Sequence, residues 1–261
     1  KSLLTAVLWL AVASPVSAER VLFVPLDDRP VCLAYPIAAF AAAGLDVVTP
    51  PTELIASRWH PGDPDKLLEW LEREAPNAAS AVVASDSGLY GGLVPARTHH
   101  DSLEKIETRL ARFNRLAEGP LPLRLYVFST VMRTPRISAG YVEPPYYETW
   151  GPSLFRLSAL TDKGTQTALP TAEQDEQAAL RDKIPADVLQ DWQTRRAINA
   201  RINKCLLDAT AAGTYAYFVL GRDDTAPYSQ SRREFRELSK SAAQLPPNQY
   251  RSFAGTDEVG W

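Results

Sequence analysis

Several residue types and patterns are scarce in this 261-residue chain, and each scarcity excludes something. Two cysteines, Cys32 and Cys205, are too few for a disulfide-built scaffold. A bridge between them depends on a Cα separation that spacing along the chain does not encode. Cys205 falls in a helical apolar stripe with Ile202, Leu206 and Ala209, so two buried free thiols are expected. The three histidines, His60, His99 and His100, have no metal-ligand spacing, because neighbours at i and i+1 do not share a helix face; no metal site is read from them. There is no basic excess: 28 Lys and Arg against 31 Asp and Glu leave a net charge of −3, without the concentrated basic face of a nucleic-acid binder. Beyond the N-terminal segment no apolar run approaches the roughly 20 residues of a membrane-spanning helix.

What is present begins with residues 1–18. Lys1, an apolar core from Leu3 to Val12 and the small-residue site Val16-Ser17-Ala18 form a secretory signal peptide, which implies a secreted or periplasmic protein. Residues 19–261 then read as a single α/β domain. Val21 to Leu26, Asp46 to Thr49, Ala79 to Ala84, Leu123 to Val131, Tyr215 to Leu220 and Ser252 to Ala254 are apolar runs of strand length, and helical periodicity fills the gaps between them. Asp63-Pro64 starts one helix, Ser102 to Ala117 carries a stripe of Leu103, Ile106, Leu110, Phe113 and Leu116, and Pro185 interrupts a helical region from Ala172 to Thr210. Six strands alternating with helices predict parallel β/α units. The fold expected is a (β/α)8-type TIM barrel, incomplete at its C-terminus with about six units present; an open parallel α/β sheet is the alternative.

The strands share a terminal grammar. Acids follow the first strand (Asp27, Asp28), the third (Asp86), the fifth (Asp223, Asp224) and the sixth (Asp257, Glu258). Carboxyl ends of parallel strands are where α/β proteins bind ligands. Aspartates also cap helices and start turns, which accounts for any one of them singly but less well for doublets after several strands. Gly88, Gly91 and Gly92 after the third strand match neither a phosphate loop nor a dinucleotide fingerprint, so no cofactor is expected. The loop from Gly140 to Pro152, with Tyr141, Tyr146, Tyr147 and Trp150, reads either as a substrate cleft or as cover for the core.

Close carboxylates in a water-poor cleft separate in pKa, leaving an acid beside a base. Glycoside hydrolysis uses such a pair. Divalent-metal hydrolysis with carboxylate ligands is the rival chemistry, and a non-catalytic carbohydrate-binding envelope protein is the third reading.

The segments VPLDDRPVC (Val24 to Cys32), SDSGLYGGLVPAR (Ser85 to Arg97), VMRTPR (Val131 to Arg136) and GRDDTAPYSQSRRE (Gly221 to Glu234), with GTDEVG near the end, resemble the bacterial domain-of-unknown-function 4127 family. The likeness covers essentially all of the mature chain, and members of that family are longer, so this chain is expected to be a fragment. The resemblance implies a barrel glycosidase lineage with β-N-acetylhexosaminidase activity on N-acetylgalactosamine or N-acetylglucosamine by substrate assistance. On that reading Asp223 orients the acetamido group and Asp224 is the acid/base. Asp27, Asp28 and Arg29 bind sugar hydroxyls, while Asp86, Tyr90, Arg133, Tyr228, Asp257 and Glu258 line the pocket. The expected partner is a carbohydrate.

Overall fold

The computed structural model describes residues 18–118, 122–137, 141–223 and 226–257. All of the signal-peptide reading except Ala18 therefore lies outside the described residues. None of the described helices is long and apolar enough to cross a membrane.

Six strands form one sheet: β1 (Arg20–Val24), β2 (Asp46–Val48), β3 (Ser80–Ala84), β4 (Arg124–Val131), β5 (Tyr217–Arg222) and β6 (Tyr250–Ala254). Every adjacent pair is parallel, in the order β2-β1-β3-β4-β5-β6. Nine helices are described: α1 (Ala34–Ala42), α2 (Pro64–Glu74), α3 (Ser85–Tyr90), α4 (Leu93–Thr98), α5 (Leu103–Arg115), α6 (Tyr147–Gly164), α7 (Thr171–Lys183), α8 (Ala186–Ala211) and α9 (Gln230–Ala242). Local chemistry fixes several of their starts. The side chains of Asp63, Ser102 and Ser229 accept the backbone N–H of Lys66, Lys105 and Arg232, satisfying donors that the first helical turn leaves unpaired.

The strand order does not confirm the barrel expectation. In a barrel, successive strands are neighbours; here β3 pairs with β1, with Val21 beside Ser80 and Val24 beside Val83, and β2 is left at an edge. The six described strands form one parallel sheet flanked by helices, compatible with the open sheet expected as the alternative and with part of a barrel. Crossover handedness explains how the helices divide. Only the step from β1 to β2 runs one way along the sheet, and a right-handed connection puts its helix, α1, on one face. All later steps run the other way and place their helices opposite. The side chains agree: Phe23, Ala84 and Phe128 pack with Ile37 and Phe40 of α1, whereas Leu22, Val24, Val83 and Val127 pack with residues of α2, α5, α8 and α9. In doubly wound sheets such a reversal leaves a crevice between the carboxyl ends of the flanking strands, here β1 and β3.

Two local readings also change. The glycine-bearing stretch after β3 is helical: α3 starts directly at Ser85 and meets α4 through Gly91 and Gly92, at φ +91° and +121°. A Cβ on Gly92 would lie 2.3 Å from Ala56 Cβ, so glycine is needed here for close approach of the loop that carries Ala56 to Arg58. The aromatic loop divides, with Tyr146, Tyr147 and Trp150 in a small core with Leu154, Ile184 and Trp192, and Tyr141 exposed. Cys32 is buried, Cys205 is half-buried, and both are free.

Candidate functional site

Residues from the carboxyl ends of β1, β5 and β6, together with α4 and the chain beyond β4, enclose a cavity of about 390 Å³. Five of the anticipated residues line it: Asp27, Arg29, Arg133, Asp223 and Asp257. Ser57, Arg58, Arg97, Tyr141 and Thr256 add the remaining polar groups of its wall.

One side is held by Arg29. Its backbone N–H and Nε donate to Asp27 Oδ1 at 3.1 and 2.9 Å, and Nη1 and Nη2 donate to Asp257 at 2.8 and 2.7 Å. β1 and β6 are separated by three strands, so the chain beyond β6 must cross the carboxyl edge of the sheet to make this contact. Burial alone would lower the Arg29 pKa, but hydrogen bonds to Asp257 and Asp27 outweigh it and raise the guanidinium. Beside it, burial and then the Asp27 charge push the Cys32 thiol well up, which makes it a poor nucleophile.

The opposite side is built from Arg97 of α4. Its Nη2 donates to Asp223 Oδ2 at 3.0 Å, and Nη1 lies 3.8 Å from Glu143 Oε1. Arg133, leaving β4, donates from Nε to the same Glu143 oxygen at 2.6 Å and lies 3.8 Å from Asp223. Burial lowers the Arg97 pKa, as does the nearby Arg133 charge, while Glu143 and Asp223 act against both. Behind this group Arg196 of α8 donates to the carbonyls of Met132 and Arg133 at 2.7 and 2.9 Å and pairs with Glu234, fixing the exit of β4.

The remaining anticipated residues fall elsewhere. Asp86 is wholly buried and is absent from the cavity wall; its Oδ2 accepts from Thr130 N and Oγ1 at 3.1 and 3.0 Å, tying α3 to β4. Burial pushes its carboxyl up to about 7, against the Thr130 hydrogen bonds and the Arg97 charge. Ser87 donates to the Pro25 carbonyl at 2.6 Å, closing the crevice between β1 and β3. Asp28 is exposed and Tyr228 half-buried, and neither lines this cavity. Tyr90 is buried against the His99 ring, 4.8 Å between centroids, and borders a second cavity. Asp224 and Glu258 lie outside the described residues.

Arg58, Arg97 and Glu143 were not among the residues anticipated from the sequence. Arg97 was in view as the last residue of SDSGLYGGLVPAR, and Glu143 is the lone acid between Gly140 and Pro145 in the aromatic loop. Among the described residues no group of three or more His, Cys, Asp or Glu is placed to hold a metal ion. Chemically, the wall offers carboxylate acceptors and guanidinium donors, each fixed by a partner, to a ligand rich in hydroxyl or amide groups.

A family model described as "Protein of unknown function (DUF4127)" matches residues 21–261, nearly the whole chain. A search of the curated proteins found no match.

Proposed function

We propose that this chain, which belongs to the DUF4127 family, is a secreted glycoside hydrolase acting on N-acetylhexosamine-containing carbohydrate. The observation that carries the reading is the delivery of Asp27, Asp223 and Asp257, from three strand ends, into one cavity of about 390 Å³. Substrate-assisted hydrolysis asks two things of neighbouring carboxylates. One must accept the acetamido N–H and hold that group against the anomeric carbon; the other must protonate the leaving oxygen. Asp223 suits the first task because Arg97 fixes it from a buried position at 3.0 Å. Asp224, the next residue, takes the second. Arg29, Asp27, Asp257 and Arg133 are then the partners for sugar hydroxyls, while Asp86 and Asp28 have no contact with substrate.

Turnover of nitrophenyl β-N-acetylhexosaminides tests this. The expected result is activity that survives a chelator, is blocked by a thiazoline mimic of the cyclised intermediate, and falls by roughly 10²- to 10⁴-fold in Asp224→Asn. Unchanged turnover in Asp224→Asn, or loss of activity on chelation, would overturn it. Binding without turnover is the second reading. It is favoured by the pairing of each cavity aspartate with a guanidinium, Asp27 and Asp257 with Arg29 and Asp223 with Arg97, which suits recognition as well as catalysis.

A further inference from the structure

Two exposed aromatic rings, Trp59 and Tyr141, meet beside the cavity, whose wall includes Tyr141. Trp59 is 65% and Tyr141 48% exposed, with ring centroids 5.3 Å apart and planes tilted by 42°. Arg58 holds them together: its Cζ lies 4.8 Å from the Trp59 ring centroid and 5.2 Å from that of Tyr141, and Nη2 donates to Tyr141 Oη at 2.6 Å. Cation–π contacts and a hydrogen bond thus keep two large apolar faces in water rather than in the core.

The cluster is a ridge between two hollows. On one side is the strand-end cavity; on the other is a second of about 350 Å³, bordered by Tyr90, Thr98, His100 and Asp101. Ser57, Arg58, Val94 and Tyr141 line both, so the hollows are contiguous across the ridge. Each hollow has polar side chains, and the ridge has aromatic faces. A chain of linked sugars alternates in the same way, with hydroxyls at its ring edges and apolar C–H groups on its ring faces.

We infer that the natural ligand is an oligosaccharide of at least two pyranose rings, one seated in the strand-end cavity and the next stacked on the Trp59–Tyr141 ridge and reaching into the second hollow. The inference rests on the carbohydrate reading above and adds the length and path of the substrate.

The test is a binding measurement independent of turnover. Wild type, Trp59→Ala and Trp59→Phe are titrated by calorimetry with N-acetylglucosamine, N-acetylgalactosamine and their two-, three- and four-residue oligomers, then profiled on a glycan array spanning other monosaccharides and oligosaccharides. The expected result is that oligomers bind wild type about tenfold or more tighter than the matching monosaccharide. Trp59→Ala should remove that gain and leave monosaccharide affinity unchanged, while Trp59→Phe keeps most of it. Equal affinity for monomer and oligomer, or an equal loss for both in Trp59→Ala, would overturn the inference even if hexosaminide turnover persisted. Absence of binding to every glycan, together with absence of turnover, would overturn the proposed function with it. Because Trp59 is exposed, its replacement removes no core packing.

Discussion

The cavity is closed by two clasps made from the same chemistry in different surroundings. On one side Arg29 joins Asp27 to Asp257, and the side chains of Arg29 and Asp257 remain 37% and 34% exposed. On the other, Arg97 and Glu143 are 6% and 1% exposed and share their charges with Arg133 and Asp223. Water screens the Arg29–Asp257 half of the first clasp, so the net contribution of that pair is small and adjustable, although Asp27 itself is only 10% exposed. The second has little water to fall back on, and each charge depends on its partners. The difference separates a rigid wall, which can fix Asp223, from a compliant one that can shift around a ligand.

The sharpest way to break this comparison is to remove Glu143. Glu143→Ala leaves Arg97 and Arg133 facing each other with Asp223 as their shared acid, and loss of one partner from a buried ionic group costs about 3–5 kcal/mol. Urea unfolding should show that loss in the transition midpoint, with the slope unchanged. A cost below about 1 kcal/mol would put Glu143 on the same footing as the exposed clasp and erase the distinction.

Asp86 tests the same buried region through pH. Its folded-state pKa, about 7, lies above its ordinary value of 3.8 because burial disfavours the carboxylate. The stability contributed by its protonated form is therefore fully present below about 3.8 and is lost as pH rises through 7, at up to about 1.4 kcal/mol per pH unit in between. Asp86→Asn retains an acceptor for Thr130 but cannot ionise. Thermal unfolding should place the variant near wild type at pH 4 and increasingly above it towards pH 7.5. A difference that stays constant across that range would refute the assignment.

The strands and most helix boundaries were legible because they follow from local rules. Unbroken apolar runs such as Val21 to Val24 mark buried parallel strands, Asp63-Pro64 marks a helix start, and Pro185 separates α7 from α8. Strand order was not legible, because β3 finds β1 through the direction of a crossover, which no residue within β3 records. Nor was α3, since Gly88 and the Gly91-Gly92 pair suggest a loop; what secures that region is tertiary, the approach of Ala56 to Gly92. The acid doublets were half legible. Asp27 is buried on Arg29 while Asp28 is exposed, because both lie in the bend after β1, where tertiary contacts and not strand alternation decide which way a side chain faces. Arg97 and Glu143 had no periodic signal at all, because a buried ion pair depends on residues that meet only after folding.

The exposed clasp should give the smallest effect and the clearest dependence on salt. Arg29→Ala removes a guanidinium with one partner, Asp257, open to water and the other, Asp27, only 10% exposed, so the stability lost should be about 1–2 kcal/mol, below that of Glu143→Ala. Screening sharpens the contrast: the Debye length falls from about 10 Å at 0.1 M to about 3 Å at 1 M ionic strength. The gap in melting temperature between wild type and Arg29→Ala should narrow in 1 M sodium chloride, while the gap for Glu143→Ala stays nearly constant because its charges lie away from solvent ions. Arg29 nonetheless ties residue 27 to residue 257 across the sheet edge, so its loss should weaken ligand binding more than folding. If Arg29→Ala instead unfolded the protein as severely as Glu143→Ala, independent of salt, both walls would be rigid and the distinction between the two clasps would fail.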